Sequence, residues 1–149
     1  MEMDTKLLSE EITFPVEFYD TDSMQVVWHG NYVKYMEKAR CALLDKIGFG
    51  YLEMSRSGFA FPIVDMRIKY VQSLRFGEKV RAVASLAEYE NCLKVKFEFY
   101  NADTGKLTTK AESTQMAVSM ETGESSFITP QIFRNKVEAL LQGGKDDVH

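Results

Sequence analysis

Residues 93–100, LKVKFEFY, alternate without a break: Val95, Phe97 and Phe99 fall on one side, Lys94, Lys96 and Glu98 on the other. A period of two places these groups on opposite faces of a β-strand, one for a core and one for water. The same period runs through IVDMRIKYV, where Val64, Met66, Ile68 and Tyr70 alternate with Asp65, Arg67 and Lys69, and through EKVRAVASLAEYE at 78–90. KLTTKAESTQMAVSM reads as one further strand. Turn chemistry separates these runs, at Leu74–Gly77, at Asp103-Thr104-Gly105 and at Thr122-Gly123. Strands joined by hairpins form an antiparallel sheet. Such a sheet has one apolar face, and that face needs a cover.

One segment can supply it. NYVKYMEKARCALLDKIG sets Tyr32, Tyr35, Met36, Ala39, Leu43 and Ile47 at spacings of three and four, the stripe of an amphipathic helix. Asn31 stands at its N-cap position and Gly48 at its C-terminus. Ahead of it, ITFPVEFY at 12–19 reads as a first strand, with Pro15 marking an edge or bulge. Residues 49–59 read as a short helical turn and QIFRNKVEALL as a last helix ending at Gly143-Gly144. The expected fold is α+β, one long helix cradled by a curved antiparallel sheet of about five strands. A single domain spans residues 1–149, its core covering roughly 12–130. Strands of this length leave an edge that can pair with a second copy, so a homo-oligomer is expected.

Several function classes are disfavoured. The net charge of −4 argues against a partner held by phosphate contacts, so no nucleic acid is expected. No apolar run approaches the ~20 residues of a transmembrane helix. Cys41 and Cys92 are dispersed, and MEMDTKLLSEE lacks an apolar signal core; both fit a cytoplasmic protein. No phosphate-binding glycine loop, GxSxG elbow or metal-ligand spacing occurs, so neither metal nor cofactor is expected.

The chemistry concentrates in DTDSMQVVWHGNYV, residues 20–33. Taken alone, Asp20 and Asp22 suit a turn, because aspartates bond nearby backbone N–H groups. A phosphatase-type DxDx(T) loop resembling the haloacid-dehalogenase-like family is rejected: the preceding strand contains Glu17, and the later parallel α/β units are missing. A lone histidine ahead of a helix more often caps or packs than catalyses, and the other histidine, His149, closes the chain. What remains is a carboxylate a few residues before a helix N-terminus. Free N–H groups at a helix start can hold a developing oxyanion. A nearby carboxylate can attack a carbonyl or activate water. A thioester suits this pair, since its carbonyl is poorly resonance-stabilised and its thiolate leaves readily. An amide does not.

The segment VEFYDTDSMQVVWHGNYVKYMEKAR resembles the opening of the 4-hydroxybenzoyl-CoA thioesterase family, including the acyl-CoA thioesterases associated with the Tol–Pal system. The matching residues are Phe18-Tyr19-Asp20-Thr21-Asp22, then Val26-Val27-Trp28-His29-Gly30-Asn31-Tyr32, then Glu37-Lys38-Ala39-Arg40 in place of the family's E-x-A-R. The resemblance implies a hotdog fold, dimers and often tetramers, an acyl-CoA or other acyl thioester as substrate, and no cofactor. It implies Asp22 as the catalytic carboxylate, acting as nucleophile or general base. His29 would offer its backbone N–H to the carbonyl, with its side chain assisting. Trp28, Gly30, Asn31, Tyr32 and Gln25 would contact substrate, and Asp20 would order the loop. Glu37 and Arg40, three apart on one helix face, read as a structural ion pair.

Two departures stand out. Gln25 replaces the family's glycine, where a side chain tolerates positive φ poorly. The Glu90-Asn91 turn is acidic and amidic where relatives often carry basic residues near the CoA phosphates. That leaves Arg67, Arg75, Lys94 and Lys96 as candidates. Two rival readings accompany the thioesterase: an acyl-thioester hydratase or dehydratase, whose histidine-proline or D-x-N-x-x-H loops do not occur around His29, and a non-catalytic acyl-CoA binding protein.

Overall fold

The main sheet is built of strands β1 (Leu8–Pro15), β3 (Ile63–Tyr70), β4 (Lys79–Glu88), β5 (Leu93–Asn101) and β6 (Leu107–Gln115). It runs in the order β1-β4-β5-β6-β3, with every neighbour antiparallel. A computed structural model describes residues 8–147. Most of the acidic N-terminal stretch and His149 lie outside the described residues. In β5 the alternation is obeyed throughout, with Leu93, Val95, Phe97 and Phe99 buried and the lysines between them half-buried.

The helix α1 (Tyr32–Ile47) covers the apolar face, packing chiefly on β1 and β4. All six residues of its predicted stripe are buried, together with Arg40 and Leu44. It ends as its glycine requires: Gly48 takes a left-handed conformation at φ 88°, and its N–H returns to the Leu44 carbonyl at 2.9 Å. A short helix α2 (Tyr51–Arg56) follows, and a C-terminal helix α3 (Gln131–Asp147) buries Phe133 and Val137. Lys136 of α3 donates to the Gly48 carbonyl at 2.6 Å, placing a cation where the α1 dipole is negative. One helix laid across a five-stranded antiparallel sheet is the hotdog fold.

Four local expectations are corrected. The first strand ends at Pro15; Phe18–Asp20 is instead one turn of 3₁₀ helix with Phe18 and Tyr19 exposed. Proline cannot donate to the ladder, and Val16 bonds to the Glu78 carbonyl beyond it. The last long strand breaks at Met116, whose N–H turns to the Pro62 carbonyl. Its continuation, β7 (Ala117–Ser119), joins β2 (Phe59–Ala60) and β8 (Ser125–Ser126) in a separate three-stranded sheet. The last helix passes through Gly143, which is not left-handed and so does not stop it. Finally, Asn31 precedes α1 without capping it by its side chain.

Candidate active site

Residues 21–27 form a small hairpin. Thr21 bridges Val27, the Gln25 N–H donates to the Asp22 carbonyl, and the Asp22 N–H donates to the Val26 carbonyl, both at 2.9 Å. This is a three-residue loop closed by a residue in the left-handed region. That residue is Gln25 at φ 66°, the one non-glycine with positive φ among the described residues. Gln25 therefore carries the strain of a left-handed conformation that glycine would adopt freely. Asp22 stabilises the same turn through Oδ1, which accepts the Met24 N–H at 2.9 Å.

Asp20 has a different environment. It is 2% exposed, and its Oδ2 accepts the Glu17 N–H at 3.0 Å and the Tyr35 hydroxyl at 2.9 Å. Lys34 approaches Oδ1 at 3.3 Å. Its backbone carbonyl takes the Asn31 side-chain amide at 2.7 Å and the Trp28 N–H at 3.0 Å. A buried carboxylate is tolerated only when paired and hydrogen-bonded in this way. Burial, and then the Asp20 carboxylate beside it, push the Tyr35 hydroxyl well above the ordinary tyrosine range. Asp20 thus ties the loop to α1, and Asn31 serves that tie.

The start of α1 is a 3₁₀ turn, His29–Asn31. The first N–H groups of a helix have no acceptor within it. Trp28 is half-exposed, with its ring 5.2 Å from that of His29 and lying directly over Gly30. A Cβ on Gly30 would collide with the indole. The His29 ring also meets Tyr70 edge-on at 6.0 Å, while the Tyr70 hydroxyl donates to the His29 carbonyl at 2.9 Å.

Asp22, His29 and Tyr32 meet on one open cleft of about 610 Å³, with Val26, Val27 and Tyr70 to Ser73 completing its wall. Gln25, Trp28, Gly30 and Asn31 are not among the residues lining it. Tyr32 lies 2% exposed at its inner side, and burial raises its hydroxyl, partly offset by Thr109 and Thr108. That hydroxyl is near both threonines but makes no well-aligned hydrogen bond. Tyr70 to Ser73 escaped the sequence reading because only the fold brings the end of β3 to the helix start. The alternation that marks Tyr70 as a strand residue says nothing of what lies across from it.

The remaining candidates separate by position. Glu37 and Arg40 are ion-paired at 2.6 Å, with Arg40 buried and also bonded to Ser113 at 3.1 Å. Arg67 and Lys96 lie with Lys69, Glu98, Lys110 and Glu112 about a shallow hollow of the sheet. Lys94 pairs with Glu112 at 3.4 Å. Arg75 alone adjoins the hairpin, through its bridge to Val26.

A family model described as the thioesterase-like superfamily matches residues 16–137, which hold both the hairpin and α1. The chain belongs to the thioesterase-like superfamily. Within this superfamily it is 35% identical over 107 residues to YneP of Bacillus subtilis (strain 168), a protein named as a candidate acyl-CoA thioesterase. The match spans 71% of this chain and 77% of that protein. Among solved structures it is similar to the DHNA-CoA thioesterase of Staphylococcus aureus, at a TM-score of 0.79 and 23% identity over 95% of both chains. It also resembles a 4-hydroxybenzoyl CoA thioesterase variant complexed with 4-hydroxybenzoyl CoA, at a TM-score of 0.75 and 15% identity over 87% of this chain and 98% of that one. At these identities the two structures speak for the hotdog fold of the thioesterase-like superfamily member described here. Among the described residues, no helix is long and apolar enough to cross a membrane.

Proposed function

We propose that this protein is a cytoplasmic acyl-CoA thioesterase of the 4-hydroxybenzoyl-CoA thioesterase kind, to which the Tol–Pal-associated enzymes also belong. The observation that carries the reading is the cleft shared by Asp22, His29 and Tyr32 at the start of α1. The thioester carbonyl lies against the N–H groups at His29 and Gly30, which stabilise the oxyanion as it forms. The Asp22 carboxylate attacks that carbonyl, giving an acyl-aspartyl anhydride that water then hydrolyses to restore the carboxylate, or it takes a proton from the water that attacks the carbonyl directly. CoA leaves as its thiolate and is protonated, and the acyl group departs as the free acid. Trp28 shields the helix start from water, Tyr32 and Tyr70 bound the acyl end, and Arg75 is the base best placed for the CoA phosphates.

The working form is a homo-oligomer, a dimer or a tetramer. Both edges of the sheet are candidates for pairing, but β1 ends at Pro15 and has its Ser9 carbonyl occupied by Lys46 at 2.7 Å. Edge β3 carries exposed Ile63 and Val64 and is the better template for a second copy. A free-thiol release assay over a panel of aromatic and aliphatic acyl-CoAs tests the function. Hydrolysis of at least one thioester is expected, and failure on all of them removes the proposal.

A further inference from the structure

The Tyr70 hydroxyl donates to the His29 carbonyl at 2.9 Å, across 41 positions of chain. Both ends of this bond are held. Tyr70 closes β3, where it is paired with Thr109 of β6. Just beyond it, the Val71 and Gln72 N–H groups both donate to the Thr108 carbonyl, at 2.8 and 3.0 Å. The Tyr70 ring meets those of Tyr32 and His29 edge-on, at 5.4 and 6.0 Å. Partial burial holds its hydroxyl above the ordinary tyrosine range, so at neutral pH it stays a protonated donor. The His29 carbonyl also accepts the Tyr32 N–H, which brings both of its lone pairs into use.

The carbonyl of His29 and the N–H of Gly30 belong to one peptide unit. Hydrogen bonds to an amide oxygen draw charge toward it, strengthen the C–N double-bond character and leave the N–H more positive. Because the unit is planar, a bond that fixes the carbonyl also fixes the direction of the N–H. We propose, on the thioesterase reading above, that Tyr70 is a positioning residue: its hydroxyl orients and polarises the His29–Gly30 peptide, making the Gly30 N–H a stronger oxyanion donor. Pairing of a second copy along β3 engages backbone groups of that strand, whereas this bond is made by a side chain within one chain. The size of the effect can be bounded. Loss of a whole oxyanion donor costs about 10²–10³ in kcat, and a polarising neighbour adds roughly 10–30% to a bond's strength. The Tyr70 hydroxyl should therefore be worth about two- to eightfold in rate.

Tyr70→Phe removes the hydroxyl and keeps the ring. On the preferred acyl-CoA, kcat should fall by about two- to eightfold with KM unchanged, because the bond acts on the oxyanion only as it develops. A 3-fluorotyrosine at position 70 is a more acidic phenol and a better donor. Assayed well below its ionisation it should raise kcat, giving the order phenylalanine, tyrosine, 3-fluorotyrosine. A tyrosine that only packs would not produce that order. In nuclear magnetic resonance spectra of the full chain without thioester, the Gly30 amide proton and the His29 carbonyl carbon should both move upfield in Tyr70→Phe. Unmoved signals, parent-like kcat, a loss confined to KM, or a kcat indifferent to donor acidity would each overturn the proposal. If the parent hydrolyses no thioester while both signals move, the thioesterase reading falls and the polarisation of Gly30 by Tyr70 is upheld.

Discussion

The Tyr35 hydroxyl donates to Asp20 Oδ2 at 2.9 Å, so the first aspartate of the DxD pair is fixed to α1 before the second begins its turn. Tyr35→Phe leaves that buried carboxylate short of a donor and should cost about 2 kcal/mol in a urea titration at neutral pH. The pH dependence follows from the raised Tyr35 hydroxyl. The folded state holds this proton more tightly than the unfolded state, so the contribution is complete below the ordinary tyrosine value of about 10 and declines above it. The parent should lose stability as the pH rises above about 10, and the phenylalanine variant should show a shallower slope there.

Asp22→Asn should separate chemistry from structure. Asparagine keeps the Oδ1 that accepts the Met24 N–H, so the hairpin and the unfolding midpoint should be preserved within about 0.5 kcal/mol. Thioester hydrolysis should fall by a factor of about 10³ or more, because an amide neither attacks nor accepts a proton at this pH. Steady-state rates on the preferred acyl-CoA, set beside a circular dichroism melt, decide the matter. Parent-like turnover would remove Asp22 from the mechanism.

Gln25 spends conformational energy to hold φ 66°. A residue with a Cβ in this region costs roughly 1–2 kcal/mol, whereas glycine gives back about 0.5–1 through its freer unfolded chain. Gln25→Gly should therefore stabilise the fold by roughly 0.5–1 kcal/mol. Gln25→Val, with its branched Cβ, should destabilise it by more than about 1 kcal/mol. Opposite shifts of the thermal midpoint are the expected sign. Shifts in the same direction would mean the turn relaxes out of the left-handed region.

Gly30→Ala meets the Trp28 ring rather than backbone, and its φ suits alanine. The indole, half-exposed, should swing away from the helix start at a cost below about 1 kcal/mol. Trp28 is the sole tryptophan, so fluorescence reports on it alone. The emission maximum should move to longer wavelength as the ring enters water. Hydrolysis should fall with it if the indole shields the oxyanion site, whereas an unchanged spectrum would mean that the ring does not move.

Much of this was legible in the residues. The period of two in β5 and the three-four spacing of α1 place apolar groups by geometry alone, and every residue of both sets is buried. The strain at residue 25 was anticipated from the resemblance, which puts a glycine where Gln25 stands. Other features had no local signature. Phe18 and Tyr19 look like strand residues, yet they stand exposed on a 3₁₀ turn because the ladder stops at Pro15. The break at Met116 depends on the Pro62 carbonyl, 54 positions earlier (116 − 62). Arg40 reads as half of an ion pair with Glu37, which it is, but only the packed sheet shows it buried against Ser113 and, 5.8 Å away, the Phe97 ring.

The strand order has a consequence for how the chain is made. The two edge strands, β1 and β3, and the helix α1 are all synthesised before the three central strands that receive them. When Tyr70 leaves the ribosome, α1 has an apolar stripe and no sheet on which to bury it. Only the β4-β5-β6 meander can assemble from neighbouring hairpins, and it is complete at Gln115. The edges must then dock back across a long stretch of chain, a slow step that leaves apolar surface open to other molecules. Destabilising substitutions in β4 or β5 should therefore be felt first as poor yield during synthesis, before any loss is measured in the finished protein.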